Sequence, residues 1–217
     1  MNVQLPDPVT LIGVLGALAL VPFIAIMVTS FVKIAVVLTL IRNALGVQSI
    51  PPNSAIYGLA IILTVYIMAP VAMSMHDTLK DKDLNLADTG KLLEEVNEAA
   101  TPFRDFLKKH VRRDQQEFFL RTTRAMWPEQ LSRQVDIDSW MILIPAYTVS
   151  ELTSAFEIGF LIYLPFIAID LIVSNILLAM GMMMVSPLTI SLPFKLFLFV
   201  MMDGWSRLIH GLVLTYQ

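Results

Sequence analysis

Two long stretches without charge constrain this chain most. Pro8 to Val32 holds no Asp, Glu, Lys or Arg; Lys33 interrupts, and the apolar run resumes to Ile41. Ser54 to Met75 is uncharged again. A helix that crosses a bilayer needs about 20 mostly apolar residues, and both stretches reach that length. Over the whole chain 15% of residues are charged and 56% are hydrophobic, against roughly 25% charged in an ordinary soluble domain. The deficit predicts a membrane protein or a subunit enclosed in a large assembly. Pro22 falls in the first stretch, and proline inside a helix removes a backbone hydrogen bond, so a long broken helix, or two pieces rather than one straight rod, is expected there. "RNALGVQSIPPN" (Arg42 to Asn53) reads as a turn, because Gly46 can end a helix and Pro51-Pro52 cannot continue one. Residues 1–76 thus form an expected N-terminal apolar helical hairpin. The opening "MNVQLPDPVT" lacks Lys and Arg, and the apolar run outlasts a signal core without a clear cleavage site. The first segment is therefore expected to stay with the mature protein.

Composition changes after His76. Asp77 to Asp138 carries most of the charge of the chain, both signs interspersed, and reads as a small charged helical domain, 77–138. Thr89 is placed to cap the helix that follows it, and Thr101-Pro102 looks like an N-cap followed by proline at the first helical position. Phe103, Phe106, Leu107, His110, Val111 and Phe118 fall near one face at helical spacing, a face expected to pack on a neighbouring helix. The Lys-Lys-His-Val-Arg-Arg run at 108–113 is flanked by acids and reads as a solvated face. The turn at 42–53 holds Arg42 and no acid. By the excess of basic residues on cytoplasmic loops, that turn is cytoplasmic and the charged domain lies outside.

Residues 139–217 are apolar again and read as a C-terminal hairpin, but Glu151, Glu157, Asp170, Lys195, Asp203 and Arg207 interrupt them, as do Pro145, Pro165, Pro187 and Pro193. A charge at the centre of a spanning helix costs about 2.5–3.5 kcal/mol on insertion scales. Such groups face a protein interior or a watery path rather than lipid. Lys33, Arg42, Lys195, Glu151, Glu157 and Asp170 are accordingly the candidates for inter-helix or inter-subunit pairing. For the three acids, pairing within the chain and pairing between subunits both remain open. The stretch "AMGMMMVSP" (Ala179 to Pro187) places Met182, Met183 and Met184 in a row. Gly181 admits unusual backbone angles and Pro187 cannot continue a helix, which together favour a projecting loop.

No Walker loop, dinucleotide fingerprint, metalloprotease motif or nucleophile elbow is present. The chain has no cysteine, and its three histidines (His76, His110, His210) lack metal-ligand spacing. The net charge of −3 gives no reason to expect a nucleic-acid partner. No enzyme activity, cofactor or metal is expected. The fold class is all-α: two apolar hairpins with kinked helices flanking the charged domain. A stand-alone secondary transporter or proton-coupled carrier, using Glu151, Glu157 and Asp170 as intramembrane proton sites, is the alternative to a structural pore component.

"PAYTVSELTSAFEIGF" (Pro145 to Phe160) and "LPFIAIDLIVSNILLAMGMMMVSP" (Leu164 to Pro187) resemble the two most distinctive motifs of the FliP/YscR/SctR family, export-gate proteins of bacterial type III secretion systems. Pro145, Glu151, Phe156, Gly159, Pro165 and Asp170 carry that likeness. "VPFIAIMVTSFVKIAVVLTLIRNALGVQSIPPN" and "LPFKLFLFVMMDGW" extend it over nearly the whole chain, and "GVQSIPPN" is more similar to the injectisome branch than to the flagellar one. The resemblance implies a ring of five copies in the bacterial inner membrane, within the basal-body rings. It also implies two other small hydrophobic export-apparatus subunits as partners, unfolded secreted proteins as cargo, and a periplasmic charged domain. It further implies that Met182 to Met184 form a ring sealing the channel. Methionine suits that task, being unbranched, polarizable and able to repack around changing shapes.

Overall fold

The computed structural model describes residues 25–47, 50–80 and 97–217, with single positions at 16, 19, 22, 23 and 95. Regular structure among the described residues is entirely helical. In chain order the helices are α1 (Phe31–Ala44), α2 (Asn53–Lys80), α3 (Thr101–His110), α4 (Arg113–Met126), α5 (Glu129–Ser132), α6 (Trp140–Ala179), α7 (Pro187–Met201) and α8 (Gly204–Leu214).

The centre of the fold is α1, which packs between α2 and α6. Its buried residues Lys33, Ile34, Val37, Leu38, Ile41 and Ala44 recur at the three- and four-residue spacing that puts side chains on one helical face. Around them gather Ile56 and Ala60 of α2, Ala155 and Phe166 of α6, Phe199 of α7, and Leu208 and Leu212 of α8. At Gly159 the two longest-contacting helices come close: a Cβ there would lie 2.3 Å from Leu40 Cδ1. A second cluster joins Val28, Phe106 and Leu107 to Leu143 and Tyr147, and so seats α3 against α6.

Among the described residues two helices, α2 and α6, are long and apolar enough to cross a membrane. Neither has one apolar face only, and α2 buries just Ile56 and Ala60. A helix that is apolar all round needs cover from lipid or from other protein. The 40 residues of α6 extend about 60 Å at 1.5 Å per residue, roughly twice the ~30 Å hydrocarbon thickness of a bilayer. From its far end the chain turns back through α7 and α8, which are bent by 61° at Met202–Asp203. Asp203 takes a left-handed φ of 52° at that bend, and Gly204 packs so closely on the Phe199 ring that a Cβ would lie 2.3 Å from it.

Several local expectations shift. The first apolar segment is in pieces, as expected: among the described residues it is interrupted at Val28–Ser30, and Pro22 itself is helical. Thr101 is the first helical residue of α3 rather than its cap; the cap is Ala100, with no side-chain hydrogen bond, and proline follows in the first turn. The six residues assigned to one face are split: Phe103, Phe106, Leu107 and His110 lie on α3, Phe118 on α4, and Val111 between the two. The backbone becomes extended at Val111, and Phe118, on α4, is 52% exposed. Phe106 and Leu107 do pack as expected, on α6. Pro145 and Pro165 lie inside α6 without ending it, and α2 runs through His76 to Lys80, so the charge begins within a helix. The cap expected at Thr89 lies outside the described residues.

Candidate channel loop and its buried charges

The methionine stretch occupies the reversal between α6 and α7. Its geometry follows from Gly181, whose φ is +71°. Gly181 N–H donates to Leu178 O at 3.0 Å, and Met182 N–H reaches back to Leu177 O at 2.9 Å. These are the two bonds of a Schellman motif, which satisfies the last carbonyls of a helix through one left-handed residue. The loop then runs from Met182 to Ser186, and Pro187 opens α7 as its first residue, where its missing N–H costs nothing. Proline thus starts the returning helix as well as preventing continuation of the outgoing one. Met182 is half-buried, while Met183 is 82% and Met184 101% exposed.

About 14 Å down α6 from the loop, at 1.5 Å per residue, a charge pair ties the hairpin together. Lys195 Nζ of α7 lies 2.6 Å from Asp170 Oδ2 of α6, with side-chain exposures of 4% and 27%. Ser191, one turn before Lys195, donates to Asp170 Oδ1 at 2.6 Å. Lys195 also donates to Ala44 O at 3.1 Å. Ala44 is the last residue of α1, so its carbonyl has no partner within its own helix and lies at the negative end of the helix dipole. One ammonium therefore joins three helices.

A second pair lies deeper. Lys33 Nζ of α1 is 2.9 Å from Glu151 Oε1 of α6, with 6% and 2% of the side chains exposed. Tyr216, after α8, donates its hydroxyl to Glu151 Oε2, and its ring lies 4.1 Å from the Lys33 ammonium. Burial, and then the Glu151 charge, push the Tyr216 phenol well above its ordinary value, so it stays protonated and donates.

The remaining candidates lie apart. Glu157, exposed, meets Arg112 at 2.9 Å and links the charged segment to α6. Glu157 and then Asp114 hold the Arg112 guanidinium more firmly protonated. Within the 108–113 run, Lys108 meets Asp138 at 2.5 Å and His110 is half-buried. Arg42 staples the turn, donating to Asn53 Oδ1 at 2.5 Å and Pro51 O at 3.3 Å. Of the residues singled out from sequence, the fold brings together Lys33 with Glu151 and Asp170 with Lys195, and keeps both pairs apart from Met182–Met184. Ser191 and Tyr216 were not singled out. Each is a polar group in an apolar segment, and a polar group buried there needs a partner.

The FliP family model matches residues 14–212. The chain is 58% identical over 214 residues to Yop proteins translocation protein R of Yersinia pestis, covering 99% of each. It is 48% identical over 215 residues to virulence protein YscR of Salmonella typhimurium, covering 99% of this chain and 100% of that one. It is 46% identical over 213 residues to hypersensitivity response secretion protein HrcR of Ralstonia nicotianae, covering 96% and 97%.

Proposed function

The chain belongs to the FliP family, and from that premise we propose that it is a core subunit of an injectisome-type type III secretion export gate. In this reading five copies form a ring in the bacterial inner membrane within the basal-body rings. They assemble with the other small hydrophobic export-apparatus subunits around a narrow channel for unfolded proteins. The charged segment faces the periplasm. Met182, Met183 and Met184 from all copies converge on the axis and close the channel by excluding water, as hydrophobic constrictions do. Met183 and Met184 carry the reading: they are almost fully exposed at the tip of a hairpin whose limbs are tied by a buried ion pair. The length of α6 supports it too, because a ~30 Å hydrocarbon layer covers only about half of that helix and protein must cover the rest.

The carrier alternative gains no support. Glu151, Glu157 and Asp170 each meet a base at 2.9, 2.9 and 2.6 Å, and the relatives bear the names of translocation, virulence and secretion proteins.

Replacing Met182, Met183 and Met184 together with alanine tests the gate. Assembled complexes are expected in normal yield, with increased leakage of ions and small solutes measured by conductance in planar bilayers. A correctly assembled triple variant with parental conductance refutes the gate.

A further inference from the structure

Tyr216 stands where distant parts of the chain meet. Its ring stacks on Phe106 of α3, centroids 6.1 Å apart and planes 13° from parallel, and lies 5.2 Å from the His110 ring. The other approach to that ring is Lys33 of α1, and the hydroxyl donates to Glu151 of α6. α3 has other contacts as well: it packs on Val28, on α2, and on Leu143 and Tyr147 of α6, with the Phe106 and Tyr147 rings 5.9 Å apart. Phe103 stacks on Trp140 at 6.0 Å, Arg104 lies 4.8 Å from the same ring, and Lys108 pairs with Asp138 at 2.5 Å. Those contacts fix α3 to the start of α6. They say nothing about the returning helices α7 and α8.

We propose that Tyr216 is a clasp: a positioning residue that locks the end of α8 and the α3 segment together onto the buried Lys33–Glu151 pair. Its two ends do separable work. The ring fills the space between Phe106, His110 and the Lys33 ammonium, combining aromatic stacking with a cation–π contact. The hydroxyl gives Glu151 a second donor beside Lys33, and a hydrogen bond to a charged group is stronger than a neutral one. Without the clasp, α3 keeps its contacts with Trp140, Leu143 and Tyr147 and Arg112 keeps Glu157, but Phe106 and His110 lose the ring that ties them to the end of α8. The α3 segment then loosens on the side that faces α8, while the hairpins stay paired.

Limited trypsin digestion of the full chain in detergent tests this. Tyr216→Ala is expected to speed cleavage at Arg104, Lys108, Lys109 and Arg112 by about tenfold or more, and Tyr216→Phe, which keeps the ring, by only about threefold. Cleavage at Lys33 and Lys195 is expected to stay slow. The chain has no cysteine, so His110→Cys/Tyr216→Cys offers one defined thiol pair. Joining it with a short bismaleimide should return cleavage near the parental rate, while the unjoined double variant stays fast. Parental cleavage in Tyr216→Ala, equal acceleration at Lys33 and Lys195, failure of the pair to crosslink, or no protection on crosslinking each overturns the proposal. The readout involves no transport, so it succeeds or fails independently of the gate.

Discussion

Lys33→Met strips the base from Glu151, the most deeply buried charged side chain among the described residues. The ammonium it removes lies 2.9 Å from Glu151 Oε1, and the two side chains are 6% and 2% exposed. At an effective dielectric of about 20 that separation corresponds to about 6 kcal/mol of attraction, much of it offset by the desolvation of both groups. Methionine keeps the volume but leaves Glu151 charged, buried and served only by the Tyr216 hydroxyl. Breaking a buried pair from one side costs about 3–5 kcal/mol. At about 2–4 °C per kcal/mol for a chain of this size, the melting temperature should fall by about 6–20 °C. Lys33→Met/Glu151→Leu removes both charges, so most of the loss should return. A residue of about 1–2 kcal/mol remains, because the Tyr216 hydroxyl is then buried without its acceptor. The assay is thermal unfolding in one detergent, followed by fluorescence of the tryptophans, with Trp140 at the start of α6. The reasoning is refuted if Lys33→Met melts within about 2 °C of the parent, or if the double variant melts no higher than the single one.

Gly159→Ala should destabilise by about 1–3 kcal/mol through overpacking, since the new methyl would sit 2.3 Å from Leu40 Cδ1; adding Leu40→Ala should raise the melting temperature of that variant rather than lower it further. Lys195→Met leaves Asp170 facing Ser191 alone and should cost about 3 kcal/mol, the lower end of the range for a broken buried pair, because Asp170 keeps 27% exposure; Asp170→Leu in the same chain should recover part of it in the same melt. Gly181→Ala meets nothing within 4 Å, so its cost is backbone strain at φ +71°, about 1–2 kcal/mol. Gly181→Asn, a residue that tolerates that region, should melt closer to the parent.

The apolar runs, the turn at Arg42–Asn53 and the loop at Gly181 were legible because each rests on local chemistry: charge-free length, proline, and a glycine able to take a positive φ. The pairing of the charges was not. Lys33 and Glu151 lie far apart in sequence, and nothing near either residue names the other. Lys195 has three acids on α6 within the same apolar half, Glu151, Glu157 and Asp170, and only the register of the hairpin selects Asp170. The single face drawn through Phe103 to Phe118 failed for a related reason. Periodicity persists across a break when the two helices happen to be in phase, and the extended backbone at Val111 leaves no strong mark in "HVRRD". The interruption at Val28–Ser30 carries no proline or glycine; Val28 is buried there against Phe106 and Leu107, a tertiary contact with no local signal.

The contacts along α1 and α6 together fix a register. Near the start of α1, Lys33 meets Glu151; midway, Leu40 lies over Gly159; at the end, Ala44 O receives Lys195, which holds Asp170. These three points rise in the same order on both helices, so α1 and α6 run side by side in one direction. A slip of one helical turn moves α1 by about 5.4 Å, well beyond hydrogen-bond reach. It would separate Lys33 from Glu151, take Leu40 off the Gly159 surface, and withdraw the carbonyl from Lys195, all at once. Apolar side chains alone resist such a slip weakly, because α2 and α6 are apolar all round and offer similar surfaces after each turn. Buried ion pairs add little net stability over apolar replacements, but they make the slipped alternatives costly, since each leaves charges buried without partners. The polar groups in this apolar chain therefore act chiefly on position: they set where α6 ends relative to α1, and with it where Met183 and Met184 project.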